Sequence, residues 1–319
     1  MYFPYLRGKQ FELLALKELS PLLGDQHMVT PIIEPVRPSQ GSGLDRCLIA
    51  LESAALDFVL VMNPSVGNLA GPLPAADLVD YVQSRPGSET WNLGLLLNED
   101  TDIETVISSY ERQLGRGHRL SLIHRGISDG LDRIPELTQG LNRELDVVSR
   151  TAFPERRHIR ALLSSSQGVT LADSFPGEDR NADYLHKQES PFTEEHLYFR
   201  DENWFGFADF TTIGEAYSEG GFTPRAVAIH WTYEPSIGDR IMIRHFTSES
   251  NGDTTNVGGK FLEAASKLVS FLDQHGIRTR AADVMRGHVA NSTYPGLGIV
   301  KKLSIQNHLE LVSGILSRP

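Results

Sequence analysis

The chain has 319 residues, 40% of them hydrophobic, which is enough to bury a large core without a disulfide or a metal ion. The formal net charge of −11 at pH 7 argues against a broad nucleic-acid-binding surface, and the single cysteine, Cys47, excludes an internal disulfide. No apolar run has the length of a signal peptide or a membrane span, so we expect a cytoplasmic protein in which Cys47 packs within a helix.

Short apolar runs alternate with segments whose apolar residues recur at helical spacing. The predicted strands are 2–6, 29–34, 57–63, 92–98, 120–124, 145–150, 169–173 and 205–210. The predicted helices are 11–23, 44–56, 75–83, 103–114, 131–141 and 156–164. Pro21 is expected to end the first helix, and Asp102 to cap the fourth. Apolar strands separated by helices are typical of a parallel sheet covered on both faces, and eight such units predict a (β/α)8 TIM-like barrel. An open doubly wound sheet is the alternative.

The last third of the chain departs from this pattern. Residues 176–203 have little periodicity and are predicted to form a long loop or lid. Two β-rich runs joined by Pro-Ser-Ile-Gly predict a hairpin, which helices over 259–275 and 299–316 follow. We therefore expect a barrel core over 1–218 and a hairpin with two helices over 219–319, packed together as a single structural domain.

Polar residues stand where most predicted strands end, and in a barrel these ends converge on one mouth. The candidates are Arg7, Lys9, Glu34, Asn63, Asn98, Glu99, His124, Arg125, Ser149, Arg150, Asp173 and Asp209. We interpret them as a ligand-binding mouth. The alternative is that these side chains only cap helices and turns, as Asp often does.

The first functional hypothesis is a binding barrel. Arg7, Lys9, Arg125 and Arg150 would form a local basic site in an acidic protein, suited to a phosphate or carboxylate group, and the first three would bind the ligand. Glu34 and Asp209 would orient those cations.

The second hypothesis is an enzyme, a metal-assisted phosphoester hydrolase. Glu34, Asp173 and Asp209 would hold a divalent cation, and His124 would act as the acid or base. The sequence does not decide between binding and catalysis, and it identifies no metal.

Both ends of the chain resemble a known family. The opening Tyr2-x-Pro4-x-Leu6-Arg7-x-Lys9-x-x-Glu12 is similar to that of the "beta" family of phage and bacterial proteins, above all its bacterial branch beginning Met-Tyr-Phe-Pro-Tyr-Leu-Arg-Gly. The runs TPIIEP, ADFTTIG and AVAIHWTY and the closing IQNHLELVSGIL also fit that family.

The resemblance implies a barrel-like fold and a place in a phage-defence or mobile-element module. It implies site roles for Arg7, Lys9, Glu12, Glu34, Asp209, Asn307 and His308. The chain departs from the family at Phe11, where Gly often stands, and at 307–309, where a second His is common.

The third hypothesis is a structural partner of a nuclease or other effector encoded nearby. The predicted hairpin would be the docking surface, with Trp231, Tyr233 and Phe246 as anchors. The alternative is that these rings pack on the barrel. The sequence predicts no oligomeric state.

Overall fold

A barrel of eight parallel strands forms the first part of the structure. The computed structural model describes residues 1–38, 42–126, 130–152, 166–220 and 223–318. The barrel strands are β1 (Tyr5–Leu6), β2 (Ile32–Ile33), β3 (Val59–Val61), β4 (Asn92–Leu97), β5 (Arg119–His124), β6 (Asn142–Ser149), β7 (Gln167–Ala172) and β9 (Gly206–Asp209). Tyr2 bridges in parallel to Phe207, and Phe3 N–H donates to Phe207 C=O over 2.8 Å, so the first and last strands meet. The predicted (β/α)8 barrel is confirmed.

Helices cover the outside of this barrel. They are α1 (Gln10–Gln26), α2 (Gly43–Ser53), α3 (Ala76–Ser84), α4 (Ile103–Leu114) and the single turn α5 (Ile134–Leu137). The predicted bounds and cap of α4 are confirmed, since the Asp102 side chain accepts from Thr105 N–H. The helix predicted over 156–164 lies outside the described residues.

The prediction that Pro21 ends the first helix is wrong, because α1 continues to Gln26. Proline has no N–H to donate to the carbonyl four residues earlier, here that of Lys17. The Ser20 hydroxyl donates to this carbonyl instead, over 3.0 Å. A neighbouring side chain thus supplies the missing bond, and the helix passes the proline.

Alternate residues along the strands belong to two different layers. One set fills the barrel interior and includes Tyr5, Ile32, Val61, Ile123 and Phe210. Their sequence neighbours, such as Leu6 and Ile33, pack outward against the helices. This two-residue alternation decides which polar side chain at a strand end faces the mouth and which faces the helices.

A second, antiparallel sheet follows the barrel. It consists of β8 (Glu189–Thr193), β10 (Ala228–Tyr233) and β11 (Ile241–Thr247), in the order β10-β11-β8. The predicted hairpin is confirmed as β10 and β11. The prediction of a long loop over 176–203 is wrong, because this segment contains β8 and a short helix, α6 (Glu195–Tyr198). β8 has only five residues, too few to show a clear period in the sequence. It lies within the predicted barrel core, 1–218, but it pairs with β11 of the second sheet.

Three helices complete the chain, namely α7 (Val257–Gln274), α8 (Arg280–Ala290) and α9 (Leu297–Leu316). Helix α8 was not predicted, since it buries mainly small residues, Ala281 and Ala282, beside Met285. Helix α9 packs on both units: Ile305, Leu309 and Val312 join the outer barrel core, and other positions join the core under the second sheet.

The aromatic residues proposed as docking anchors are buried. Trp231 is 0%, Phe246 5% and Tyr233 6% exposed, in a cluster with residues of α7. The rings of Tyr233 and Phe246 lie 4.9 and 5.5 Å from that of Phe271. They therefore pack under α7, neither free for a partner nor on the barrel itself. Within the described ranges, no helix combines the length and apolar character needed to cross a membrane.

We predict that Gly24→Ala destabilises the protein by about 1–3 kcal/mol, because the added methyl would overlap the backbone carbonyl of Ala54, where α1 meets α2. Gly287→Ala in α8 is the matched control, since its methyl meets no atom within 4 Å. That change should stabilise the protein by about 0.5–1 kcal/mol. Urea unfolding measures both values, and equal effects would contradict the close contact.

Candidate functional site

Glu34 is the centre of the barrel mouth. Its side chain is fully buried and its two oxygens accept four hydrogen bonds. Oε2 accepts from the Tyr5 hydroxyl over 2.6 Å and from the Arg7 guanidinium, with which it forms an ion pair. Oε1 accepts from Ser65 N–H over 2.7 Å and from its hydroxyl over 2.8 Å. The carboxylate is thus held by one cation and three neutral donors.

These contacts keep Glu34 ionised although it is buried. Burial alone would raise the pKa of the carboxyl group, but the Arg7 charge and the hydrogen bonds from Tyr5 and Ser65 outweigh it. The pKa of Glu34 is consequently lowered. The same environment raises the pKa of the Tyr5 hydroxyl, through burial and the adjacent Glu34 charge, so that Tyr5 stays a donor.

Two arginines lie beside two aromatic rings at this mouth. The Arg7 guanidinium carbon is 5.6 Å from the Tyr5 ring centroid and 5.8 Å from that of Phe210. For Arg125 the distances are 6.0 and 5.6 Å. Cations at this range are attracted to ring faces, so the rings help to fix both guanidinium groups.

A loop segment, residues 215–218, covers these cations. Arg7 donates to Glu215 C=O over 2.8 Å, and Arg125 forms an ion pair with the Glu215 carboxylate. Lys9 donates to Ser218 C=O and lies 4.8 Å from the Tyr217 ring centroid. Three of the predicted basic residues, Arg7, Lys9 and Arg125, thus contact one segment, whereas Arg150 pairs with Glu195 and Glu202.

Asp173 ties this segment to the barrel. It is exposed, and its carboxylate accepts from Phe175 N–H over 3.2 Å and from Glu215 N–H over 3.0 Å. The first bond is an Asx turn, the structural alternative considered for this residue. Asp173 positions Glu215 and makes no contact with Glu34.

Asn63 faces the mouth but binds backbone. Its amide nitrogen donates to Leu96 C=O over 2.9 Å, and its oxygen accepts from Leu96 N–H over 2.8 Å. The side chain thus continues the pairing of β3 with β4 beyond the last residue of β3. Both polar atoms of the Asn63 side chain are therefore already hydrogen-bonded to the barrel backbone.

His124 does not face the mouth. Its neighbour Ile123 belongs to the interior cluster, so His124 points outward. There its Nε2 lies 2.6 Å from Oδ1 of buried Asp146, which Arg143 and Ser166 also contact. Burial alone would raise the pKa of Asp146, but interactions with His124, above all its hydrogen bond, and the positive charge of Arg143 lower it. The predicted acid–base role at the mouth is not supported by this placement.

Asp209 also faces outward, since its neighbours Ala208 and Phe210 lie inside. Oδ1 accepts from the Tyr2 hydroxyl over 2.7 Å and from Thr211 N–H over 2.8 Å. Oδ2 lies 3.3 Å from Nε2 of His308, on α9. Asp209 therefore joins the barrel to α9 and does not orient the mouth cations.

The remaining candidates extend this joint. His308 Nδ1 is 3.1 Å from the Thr232 hydroxyl, and Asn307 donates to Thr232 C=O over 2.8 Å. Asn307 in turn accepts from the Thr279 hydroxyl, which caps α8. All four side chains are buried. The residues implied by the resemblance thus fall into two groups, one at the mouth and one in this barrel–helix joint.

The described residues offer no metal centre. No three His, Cys, Asp or Glu side chains among them are arranged to hold a metal ion. Glu34, Asp173 and Asp209 each bind separate partners, so the three carboxylates of the hydrolase hypothesis do not converge.

Four mouth residues, Tyr5, Ser65, Phe210 and Glu215, are not among the sequence candidates. Tyr5 and Phe210 could have been found from strand alternation, because Tyr5 shares the face of Arg7. Glu215 has no sequence signal, since it follows the last barrel strand in a segment without periodicity.

Comparison with known proteins adds no family assignment. No protein-family model matches the chain, and no curated protein matches it significantly. The resemblance to the "beta" family therefore stays a prediction from the quoted motifs.

We predict that Glu34→Gln lowers the free energy of unfolding by about 3–5 kcal/mol at neutral pH, because Arg7 is left buried without its counter-charge. The pKa of Glu34 is lower in the folded state than in the unfolded chain. Its contribution to the free energy of unfolding is therefore fully present above its ordinary pKa of 4.5, and it is lost as the pH falls through the folded-state pKa. The difference from wild type should shrink in acid. Urea unfolding across pH tests this, with Glu111→Gln, a more exposed ion pair, expected to change stability by less than about 1 kcal/mol. A constant difference across pH would be the contrary result.

We predict that Asp209→Ala lowers the free energy of unfolding by about 3 kcal/mol or more, because the Tyr2 hydroxyl, Thr211 N–H and His308 lose a shared acceptor. Because Asp173 is exposed, Asp173→Ala should lower the free energy of unfolding by about 1 kcal/mol or less. Hydrogen exchange adds a local readout: the amides of β10, beside Thr232, should lose protection in the Asp209 variant only. Unchanged exchange there would argue against the joint.

Proposed function

We propose that this protein is a cytoplasmic binding barrel whose mouth holds an anionic group, a phosphate or a carboxylate, of a ligand or a protein partner. Arg7 and Arg125 are the binding cations. The observation that supports this is the Glu215 carboxylate, which Arg125 already binds while Arg7 holds the carbonyl of the same residue. A carboxylate of the chain itself thus occupies the place proposed for the ligand.

The charges around the mouth favour an incoming anion. Arg7 pairs with the buried carboxylate of Glu34, and Arg125 would lose its ion-pair partner if Glu215 moved away. The Glu215 side chain is 42% exposed, whereas that of Arg125 is 13% exposed. Displacing Glu215 therefore frees a largely enclosed cation without uncovering a buried core.

The chemistry of arginine suits this role. Its planar guanidinium group binds carboxylates and phosphates through paired N–H groups and stacks on aromatic rings. Tyr5 and Phe210 supply the rings, and Glu34 fixes Arg7, so the cations are positioned before a ligand arrives. Ligand binding then costs little side-chain ordering.

The resemblance to the "beta" family supplies the biological setting of the proposal, a phage-defence or mobile-element module. A partner encoded nearby, such as a nuclease, would present the anionic group or respond to its binding. The hydrolase hypothesis has no comparable support, because its candidate residues point to different faces of the barrel.

We predict that Glu215→Ala tightens the binding of pyrophosphate, the probe, by about tenfold, equivalent to about 1.4 kcal/mol, because it removes the internal competitor. Arg125→Ala should abolish measurable binding. Arg119→Ala is the matched control, since Arg119 lies at the other end of β5 and pairs with Asp57. Isothermal titration calorimetry measures all three variants.

Equal binding by wild type and Arg125→Ala would overturn the proposed site. Phage plating on cells with the full module tests the setting separately: Arg125→Ala should lose protection and Arg119→Ala should keep it. If the wild type gives no protection against phage, the proposed role in defence is refuted. The calorimetric titrations still test the proposed binding site independently.

A further inference from the structure

A cavity of about 330 Å³ lies between the barrel and the second sheet. Phe175 and Thr212 line it from the barrel side, His230 from β10, and Lys301 and Ser304 from α9. The volume is at the lower end of the range of roughly 300–1,000 Å³ that is usual for small-molecule sites. The cavity is separate from the mouth, since neither Arg7 nor Arg125 lines it.

Thr212 lines this cavity, and its hydroxyl is buried and unsatisfied by any described residue. The residue is only 3% exposed, and its Oγ1 has no hydrogen-bond partner among the described residues. A buried hydroxyl without a partner costs free energy, so such groups are rare unless they serve another purpose. Rotation of the side chain toward the cavity would let a ligand oxygen or nitrogen satisfy it.

His230 presents a second polar group. Its Nδ1 lies 2.7 Å from Nδ1 of His245, and burial lowers the pKa of His230 to about 3 and that of His245 to about 4. Both rings are therefore neutral near pH 7, and one Nδ1–H donates to the other Nδ1. The ring that accepts carries its proton on Nε2.

The surroundings of His245 decide which ring donates. Its Nε2 is buried and has no hydrogen-bond partner among the described residues. A buried N–H without an acceptor is rarer than an acceptor without a donor, so we assign the His245 proton to Nδ1. His230 then carries its proton on Nε2 and offers a neutral N–H donor at the cavity wall.

Lys301 adds a cation at the cavity. It forms no ion pair or hydrogen bond with a described residue, whereas its neighbour Lys302 pairs with Glu18 over 2.7 Å. Burial raises the pKa of the Glu12 carboxyl group, and the nearby charge of Lys301 opposes that rise. Lys301 thus lines the cavity and interacts with Glu12 through charge alone, without an ion pair or hydrogen bond to a described residue.

Aromatic rings form one wall of the cavity. The rings of Phe175 and Tyr184 lie 5.0 and 4.8 Å from that of His230, both at steep angles. Glu178, the carboxylate at the rim, is paired with Lys187. The wall therefore offers ring surfaces and donors, with its one negative charge already neutralised.

We propose that this cavity binds a nucleoside or a nucleoside monophosphate. Ring surfaces suit a planar base, and the Thr212 hydroxyl and His230 N–H suit its carbonyl and ring-nitrogen acceptors. Lys301 suits a phosphate. The cavity volume fits one such molecule and is small for a dinucleotide. This inference does not depend on the proposed function of the mouth.

The test is calorimetric titration of the full chain with the four common nucleoside monophosphates and their nucleosides. At least one monophosphate should bind with a sub-millimolar Kd. Thr212→Val should weaken the binding of the monophosphate and of its nucleoside at least tenfold. Thr212→Ser should restore both affinities. Thr212→Val removes an unsatisfied hydroxyl, so the melting temperature of this variant should not fall. An unchanged melting temperature shows that weaker binding does not result from a loss of folding.

Two lysine variants test the charge. Lys301→Ala should weaken the binding of the monophosphate at least fivefold and leave the affinity for the nucleoside unchanged. Lys302→Ala should change neither affinity. Arg125→Ala should also leave binding unchanged, which distinguishes this cavity from the mouth. Absence of binding by all eight compounds, or equal effects of the two lysine variants, overturns the proposal.

Discussion

A carboxylate, that of Glu34, is held at the barrel mouth with no surface exposed to solvent, and the arrangement of the mouth follows from this constraint. A charge in such a place is costly unless a counter-charge and hydrogen bonds surround it. Tyr5, Arg7 and Ser65 meet this requirement, and each is fixed by doing so. Arg7, once fixed, reaches the carbonyl of Glu215, and the segment over the mouth is held in turn.

Strand alternation explains how much of the site could be predicted from the sequence. The predicted carboxyl-terminal strand ends fall within two residues of the observed ones, but the ends alone do not say which face a side chain occupies. Ile123 is apolar and inside, so His124 has to point outward, and the same reasoning applies to Asp209 after Ala208. Glu215 could not be predicted, because it reaches Arg125 only through a loop that Asp173 holds.

The joint around Asp209 and His308 gives the C-terminal helices a role in the barrel. The predicted division into a barrel and an extension was based on the order of elements, and it describes the two sheets only roughly. β8 crosses from the first part into the second sheet, and α9 places Ile305 and Leu309 in the outer barrel core. Such long-range packing depends on side chains far apart in the chain, which local periodicity does not reveal.

The closure of the barrel through Tyr2 and Phe207 has a consequence for synthesis. The two residues that meet are about two hundred positions apart, so the earliest strand emerges from the ribosome long before its neighbour exists. Until β9 emerges, β1 has a partner on one side only, and Asp209 is not yet there to accept from Tyr2. Because contacts of such long range form slowly, the nascent chain spends much of its translation as an open sheet with two unpaired edges, which is the state most exposed to aggregation and to chaperones.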